Sequence, residues 1–366
     1  MSKKILVIAG GTYVSGAEIV TLEVIKGLKQ KGFDLHCMVS GWNDGDFIER
    51  LNELNIPYTA IKLGWYYTSK IWWSLDSLVH YPKAIWDFIK LKRKFKEDIV
   101  YTISYRPIIL LYPFFNKNII YHVHDTNSRI KQSKFFIKLI NSKVRHFIAV
   151  SHFIKSDLLA CGLPEQKISV IHNGIEIIPI NSKSANKLFT IGIVGQIIPR
   201  KGHLILIEAL NILHEQGIKI KLKIVGRGDE SFVAEIKKVI NKNRLQEYVQ
   251  WRGFIIDLKE IYSDIDVVVA PTQNDEPFGL MACEGNMFAI PAIVSNKGGL
   301  PEIIQDGLNG FLVNPFDAFE IADKIMVLYK DKNLREKMGK EGREQVVLSF
   351  SKIQMNQSIE KILNQL

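Results

Sequence analysis

Short apolar runs alternate along the chain with longer stretches of helical periodicity. In the first half, Ile5–Ala9, Leu35–Val39, Ile99–Ile103, Ile119–Val123 and Phe147–Val150 read as strands. Residues 16–31 place apolar side chains at helical spacing and stop at Gly32, which predicts an amphipathic helix. The alternation is the βαβ rhythm of a parallel sheet. After residue 174 the pattern loosens, and Pro179, Asn181, Ser182, Ser184 and Asn186 fall close together. That composition predicts an interdomain linker over 179–187. A second series then opens at Phe189–Val194. It continues through Leu222–Val225, Val249–Trp251, Val267–Ala270, Ala292–Val294 and Gly310–Val313. The pattern therefore predicts an α/β protein with an N-terminal Rossmann-like domain (1–178) and a C-terminal one (188–349). A last segment, 350–366, follows.

Length and composition agree with two cores. The chain has 366 residues, 47% apolar and 23% charged, enough for two domains. Its three cysteines, Cys37, Cys161 and Cys283, have no CxxC spacing. That argues against a disulfide framework or a zinc site and points to a reducing compartment. The apolar run at Ile5 breaks at Gly10-Gly11, so it reads as a first buried strand and not as a signal peptide. No apolar stretch approaches the ~20 residues that span a bilayer. A cytoplasmic protein is expected. The net charge of +10 is uneven: residues 51–150 hold 16 Lys and Arg against 6 Asp and Glu. The partner implied by this charge meets the first half.

The densest chemical signal is Glu276-Pro-Phe-Gly-Leu-Met-Ala-Cys-Glu284. It follows the predicted strand ending at Ala270, and a helix is expected to start near Gly279. Ligands of open α/β sheets bind at the carboxyl ends of strands. A helix start there presents free N–H groups and a positive dipole end to an anion. Glu276 before the helix and Glu284 within it then reach hydroxyls at opposite ends of a ligand whose phosphates lie between. A sugar nucleotide has that layout. Two glutamates at this spacing are more often a helix-entry Glu and a solvated Glu. The flanking words change the balance: Val268-Val-Ala-Pro-Thr272 before, and Gly298-Gly-Leu-Pro-Glu302 and Asp306-Gly-Leu-Asn-Gly-Phe-Leu-Val313 after.

In this order the elements resemble the E-x7-E signature and its neighbours in GT-B glycosyltransferases, specifically the retaining family 4, or group 1. The resemblance implies two Rossmann-like domains facing across a cleft, with the last helix crossing back to the first domain. It implies that Glu276 orients sugar hydroxyls and Glu284 holds the ribose, with Phe278, Gly279 and Leu280 in the phosphate turn. Gly195-Gln-Ile-Ile-Pro-Arg200-Lys201-Gly202 resembles the family's G-R-x4-K-G element. Lys201 matches the phosphate-binding lysine. The usual arginine is here Gln196, and Arg200 is the candidate to replace its charge. Val225-Gly226-Arg-Gly228 resembles the V-G-x-G turn, where Gly226 lets the backbone approach the nucleotide. Phe254 lies in the loop that contacts the base. The residue types there do not fix the base; UDP is favoured over GDP. In the first domain, Gly10-Gly11 is not the dinucleotide fingerprint, so NAD is not expected; Gly11 is expected near the donor phosphates. His124, in Tyr121-His-Val-His-Asp125, matches the family's strand-end His-Asp over the donor sugar. A lone histidine is more often a satisfied core group. His122 shares its strand face.

Four of the six tryptophans lie at 65–86: Trp65, Trp72, Trp73 and Trp86. Lys90, Lys92, Arg93, Lys94 and Lys96 follow them. Aromatics beside cations suit an anionic membrane surface; a buried aromatic cluster and a solvated helix face are the competing readings. No nucleic-acid-binding module is present. The expected activity is transfer of a hexose-type sugar from a nucleoside diphosphate sugar to an acceptor hydroxyl, with no metal and no other cofactor. A lipid-linked saccharide of bacterial surface polysaccharide assembly is the expected acceptor. The catalytic set is His124, Glu276, Lys201 and Arg200. The alternatives are a sugar-nucleotide 2-epimerase on the same fold and a non-catalytic sugar-nucleotide-binding subunit.

Overall fold

The computed structural model describes residues 2–11, 14–64, 71–126, 133–180 and 188–365. The chain forms two compact units, Met1–Gly174 with Ile353–Leu366, and Ile175–Lys352. In the first, a parallel sheet is built from β1 (Lys4–Ile8), β2 (Asp34–Ser40), β3 (Tyr58–Ile61), β4 (Ile99–Thr102), β5 (Ile119–Val123), β6 (Val144–Ala149) and β7 (Ile168–Val170). Their spatial order is β3-β2-β1-β4-β5-β6-β7. β1 lies inside the sheet: Val7 pairs with Cys37 of β2 on one side and Tyr101 of β4 on the other. Helices cover both faces, so Ile5, Leu6 and Val7 are all buried and the strand carries no polar alternation. The helix Gly16–Gln30 begins in a capping box, in which the Ser15 N–H donates to Glu18.

The second unit repeats the plan with β8 (Thr190–Val194), β9 (Lys221–Val225), β10 (Val249–Trp251), β11 (Val267–Ala270), β12 (Ala292–Ser295) and β13 (Gly310–Val313). Their order is β10-β9-β8-β11-β12-β13, again parallel. One core, including Ile191, Leu206, Leu210, Val267, Ile293, Ile321 and Ile325, lies between the sheet and its helices. Strand order reverses between β8 and β11, where Ile191 pairs with Val267. That is the position at which a doubly wound sheet opens a ligand crevice.

Residues 181–187, most of the predicted linker, lie outside the described residues. Residue 178, the expected end of the first domain, falls within the second unit. Ile175 there donates to the carbonyl of Phe350 at 2.8 Å, and Arg343 donates to that of Ile178 at 2.9 Å. The last helix, Lys352–Gln365, packs with the first unit from Ile353 onward. Lys3 Nζ donates to the carbonyl of Leu363 at 2.8 Å, and Lys31 pairs with Glu360 at 3.1 Å.

Candidate active site

In the second unit the chain leaves β8 at Gly195 and forms a 3-10 turn, Pro199–Lys201, before the helix His203–Glu215. It leaves β11 at Ala270 and reaches Glu276 just before the helix Leu280–Met287. The two exits flank the switch point, so the basic turn meets the acidic loop there. Lys201 Nζ lies 2.7 Å from Glu276 Oε2, and Arg200 lies 3.7 Å from the same oxygen. Lys201 and Glu276 are largely enclosed, at 17% exposure each, whereas Arg200 is more open at 40%. Three predicted residues from two separate motifs thus form one cluster. Gln196, Lys201, Thr272, Glu276 and Gly279 line one small pocket with His203.

Glycines shape this corner by what they leave out. A Cβ on Gly226 would lie 1.8 Å from the carbonyl oxygen of Gly195, and φ there is +144°. A Cβ on Gly298 would lie 2.2 Å from the carbonyl oxygen of Glu276, with φ at +62°. Only glycine fits either place. Gly299 N–H then donates to the Glu276 carbonyl at 2.7 Å. The Gly298-Gly299 pair therefore clamps the loop that carries Glu276.

Glu284 lies in the helix Leu280–Met287. Its Oε2 accepts from the Tyr262 hydroxyl at 2.7 Å. Burial raises its carboxyl pKa, and the Tyr262 hydrogen bond opposes the rise. Phe254 is exposed, with the Arg227 guanidinium 4.7 Å from its ring centre; the two lie in the loops that follow β10 and β9. The Phe278 ring instead turns into the core, edge-on to Phe350 at 5.7 Å. What Phe278 offers a ligand is backbone. Leu280 is half-buried at the helix start.

In the first unit, Gly11 is exposed just past β1, and His124 follows β5. The rings of His122 and His124 lie 4.0 Å apart, and the Tyr101 hydroxyl meets His122 Nδ1 at 2.5 Å. Burial lowers the pKa of His124 to about 3, so its imidazole is neutral. Burial, with the neighbouring His124, also holds His122 well below the ordinary histidine value.

His203 was not foreseen as a site residue. It follows the Lys201-Gly202 pair, is buried, and has no hydrogen-bond partner on either ring nitrogen among the described residues. Burial, aided by the Lys201 charge, lowers its pKa to about 4. Its position directly after the basic turn is the signal that could have found it. Tyr262 had no such signal, because only the fold brings it to Glu284.

Residues 65–70 of the aromatic segment lie outside the described residues. The helix Ile71–Phe95 follows them. Trp72, Leu75, Val79 and Trp86 recur on one face and are exposed, Trp72 by 82%. Lys83, Lys90, Arg93 and Lys94 continue that face toward the carboxyl end and are exposed too. Lys92 departs from the expectation. It turns inward to pair with Glu97 at 2.7 Å and donates to the Phe114 carbonyl at 2.7 Å. Among the described residues no helix is long and apolar enough to cross a membrane.

Comparison with known proteins places the chain in a family. Residues 14–177 match the Glycosyltransferase Family 4 sequence model, and residues 175–345 match Glycosyl transferases group 1. The chain is 27% identical over 264 residues to the capsular polysaccharide biosynthesis glycosyltransferase CapM of Staphylococcus aureus, covering 64% of this chain and 67% of that protein. It is 28% identical over 193 residues to the amylovoran biosynthesis glycosyltransferase AmsK of Erwinia amylovora, covering 50% and 46%. The matched stretches span 44% to 67% of the length of the first curated relatives. The crystal structure of Anabaena HepE in complex with UDP and glucose superposes with a TM-score of 0.83 at 21% identity, covering all of both chains. The chain belongs to the group 1, family 4 glycosyltransferases and has their GT-B fold.

Proposed function

We propose that this enzyme moves a hexose-type sugar from UDP to an acceptor hydroxyl, with retention of anomeric configuration. The observation that carries the reading is the meeting of Lys201, Arg200 and Glu276 at the switch point of the second sheet. The hard step is departure of the diphosphate from the anomeric carbon. Positive charge already in place on the leaving oxygens lowers that barrier. Lys201, Arg200 and the amides at the start of the Leu280–Met287 helix supply it without calling for a metal. Glu276 orients sugar hydroxyls, and Glu284 accepts from the ribose. Gly11 and His124 are the first unit's candidate residues for donor and acceptor, a role supported by the family resemblance. Retention follows from family membership. With no carboxylate assigned as a nucleophile, attack on the same face, assisted by the leaving phosphate, is the route.

UDP as the nucleotide is supported by the HepE complex, which holds UDP and glucose. A saccharide acceptor of surface polysaccharide assembly is supported by CapM and AmsK. The exposed Trp72–Trp86 face with its basic continuation supports an acceptor presented at an anionic membrane, met peripherally from the cytoplasmic side. There the rings lie at headgroup depth and the cations meet lipid phosphates.

The test is UDP release from a panel of UDP-hexoses, with donor alone and with lipid-linked saccharide, with and without EDTA. A donor at 100 times its Kd raises stability by about 2.7 kcal/mol, which a thermal-shift screen detects first. Release stimulated by acceptor and insensitive to EDTA is expected. An epimeric sugar nucleotide from donor alone would favour the epimerase instead. Binding with no release under any condition would favour a non-catalytic subunit.

A further inference from the structure

We propose that Tyr262 is a positioning residue that fixes the Glu284 carboxylate for the ribose hydroxyls of the donor. The inference rests on the reading of Glu284 as the ribose acceptor and adds to it the group that holds it in place.

The geometry is specific. Tyr262 ends the helix Leu258–Tyr262 and is fully buried. Its ring stacks on Phe288 with centroids 5.4 Å apart and planes 22° from parallel. Phe288 caps the helix that carries Glu284, one turn further along. The Tyr262 hydroxyl therefore stands over the carboxylate and donates to Oε2 at 2.7 Å. That length is typical of a charge-assisted bond. A carboxylate has about four acceptor sites. Tyr262 takes one, and a vicinal diol needs two.

The short helix is itself anchored. Lys223 in β9, 1% exposed, donates to the carbonyls of Glu260 and Ile261 at 3.0 and 2.8 Å. It also pairs with Asp264. A buried cation on the last carbonyls of a helix satisfies groups that have no partner within it. Sheet, helix end, tyrosine and carboxylate thus form one rigid chain of contacts. Burial, with the nearby Glu284 charge, raises the phenol pKa well above its ordinary value. The hydroxyl therefore remains a donor at working pH.

The consequence is a selective one. Removing the hydroxyl leaves the stacked ring intact and frees the carboxylate to rotate or take up a proton. Binding of a ribose then suffers, while binding of phosphate and base does not. The experiment is titration calorimetry of the full chain with UDP and with 2′,3′-dideoxy-UDP. The proteins are the parent, Tyr262→Phe, Glu284→Gln and the double variant. The parent is expected to prefer UDP, and a parent without that preference would remove the ribose role of Glu284. Tyr262→Phe is expected to weaken UDP about tenfold, the scale of one hydrogen bond to a charged group. It leaves dideoxy-UDP within about twofold and adds nothing to Glu284→Gln in the double variant. If Glu284→Gln loses the preference and Tyr262→Phe keeps it, Tyr262 only packs, and this inference falls alone. If Glu284→Gln keeps the preference, the ribose role of Glu284 falls and takes the inference with it. Equal weakening of both nucleotides by Tyr262→Phe also overturns the positioning role.

Discussion

Glu276→Gln is expected to tighten the binding of free UDP while it slows transfer. The cation meant for the diphosphate is also the partner of Glu276, with Lys201 Nζ 2.7 Å from Glu276 Oε2. Arg200 leans on the same oxygen at 3.7 Å. An incoming diphosphate must share or displace that carboxylate, and it meets a like charge beside it. At an effective dielectric of about 20, a unit pair at this separation attracts by about 6 kcal/mol. Most of this is offset, because both partners have already lost water and the phosphate loses its own. A net effect of about 1–2 kcal/mol remains, or a Kd for UDP roughly five- to thirtyfold lower in the variant. Gln keeps the shape and hydrogen-bonding reach of Glu but removes the charge. The sugar loses its oriented carboxylate, so turnover falls as the nucleotide binds more tightly. Calorimetry with UDP gives the first quantity and initial rates of UDP release give the second. UDP affinity equal to or weaker than that of the parent would refute the competition. It would mean that the pair persists in the complex or that Glu276 itself contacts the nucleotide.

Four further outcomes are expected from the structure. Lys201→Ala should lower turnover more than tenfold, a barrier increase of at least about 1.4 kcal/mol, with a far-UV circular-dichroism spectrum like the parent's; activity within twofold would remove Lys201 from leaving-group stabilisation. The parent should sediment with anionic vesicles at low salt and release as salt rises. Trp72→Ser with Trp86→Ser, or Gln at Lys90, Arg93 and Lys94, should weaken this binding without changing donor hydrolysis. Lys92→Gln should lower the melting temperature instead, because that side chain pairs with Glu97. Stability should fall on acidification: burial lowers His124 from 6.5 to about 3 and His203 from 6.5 to about 4. The unfolded chain therefore takes up protons that the fold refuses below about pH 6.5. The stability these groups contribute is complete above that value and is lost as pH falls toward the folded values. Scanning calorimetry from neutral to about pH 5 reads the slope, and a melting temperature that rises on acidification would contradict it.

What the sequence disclosed follows from where information is local. Both sheets were legible because a strand covered on both faces is mostly apolar, and runs such as Ile5–Ala9 and Val267–Ala270 break at turn residues too soon for any longer apolar element. β3 and β7 escaped because edge strands need less. Tyr58–Ile61 is four residues with two exposed, and Ile168–Val170 is three. The Lys201 and Glu276 motifs were legible one by one. Their meeting was implied only through the resemblance, since they lie 75 positions apart. Side-chain direction was legible least. Phe278 sits inside the phosphate motif, yet its ring is core. Lys92 sits inside a basic run, yet it points inward.

Lys223 shows why such misreadings arise and where they lead. In Lys221-Leu-Lys-Ile-Val225, alternation would send Lys223 to solvent. The strand is instead enclosed on both sides, and a buried ammonium survives only where acceptors surround it. It finds them in Glu260 O, Ile261 O and Asp264, at the end of the helix that carries Tyr262. A polar residue where the pattern demands an apolar one is thus a signal after all. It marks a neighbouring element held in place by hydrogen bonds as well as by packing. Here that element is the one whose tyrosine meets Glu284. The same logic applies to His203, buried beside Lys201 with both ring nitrogens unpartnered among the described residues. A polar group left unpaired inside a fold costs about 1–3 kcal/mol. Such a cost is tolerated where selection acts on the site and not on the core, and the pocket lined by Lys201 and Glu276 is that place.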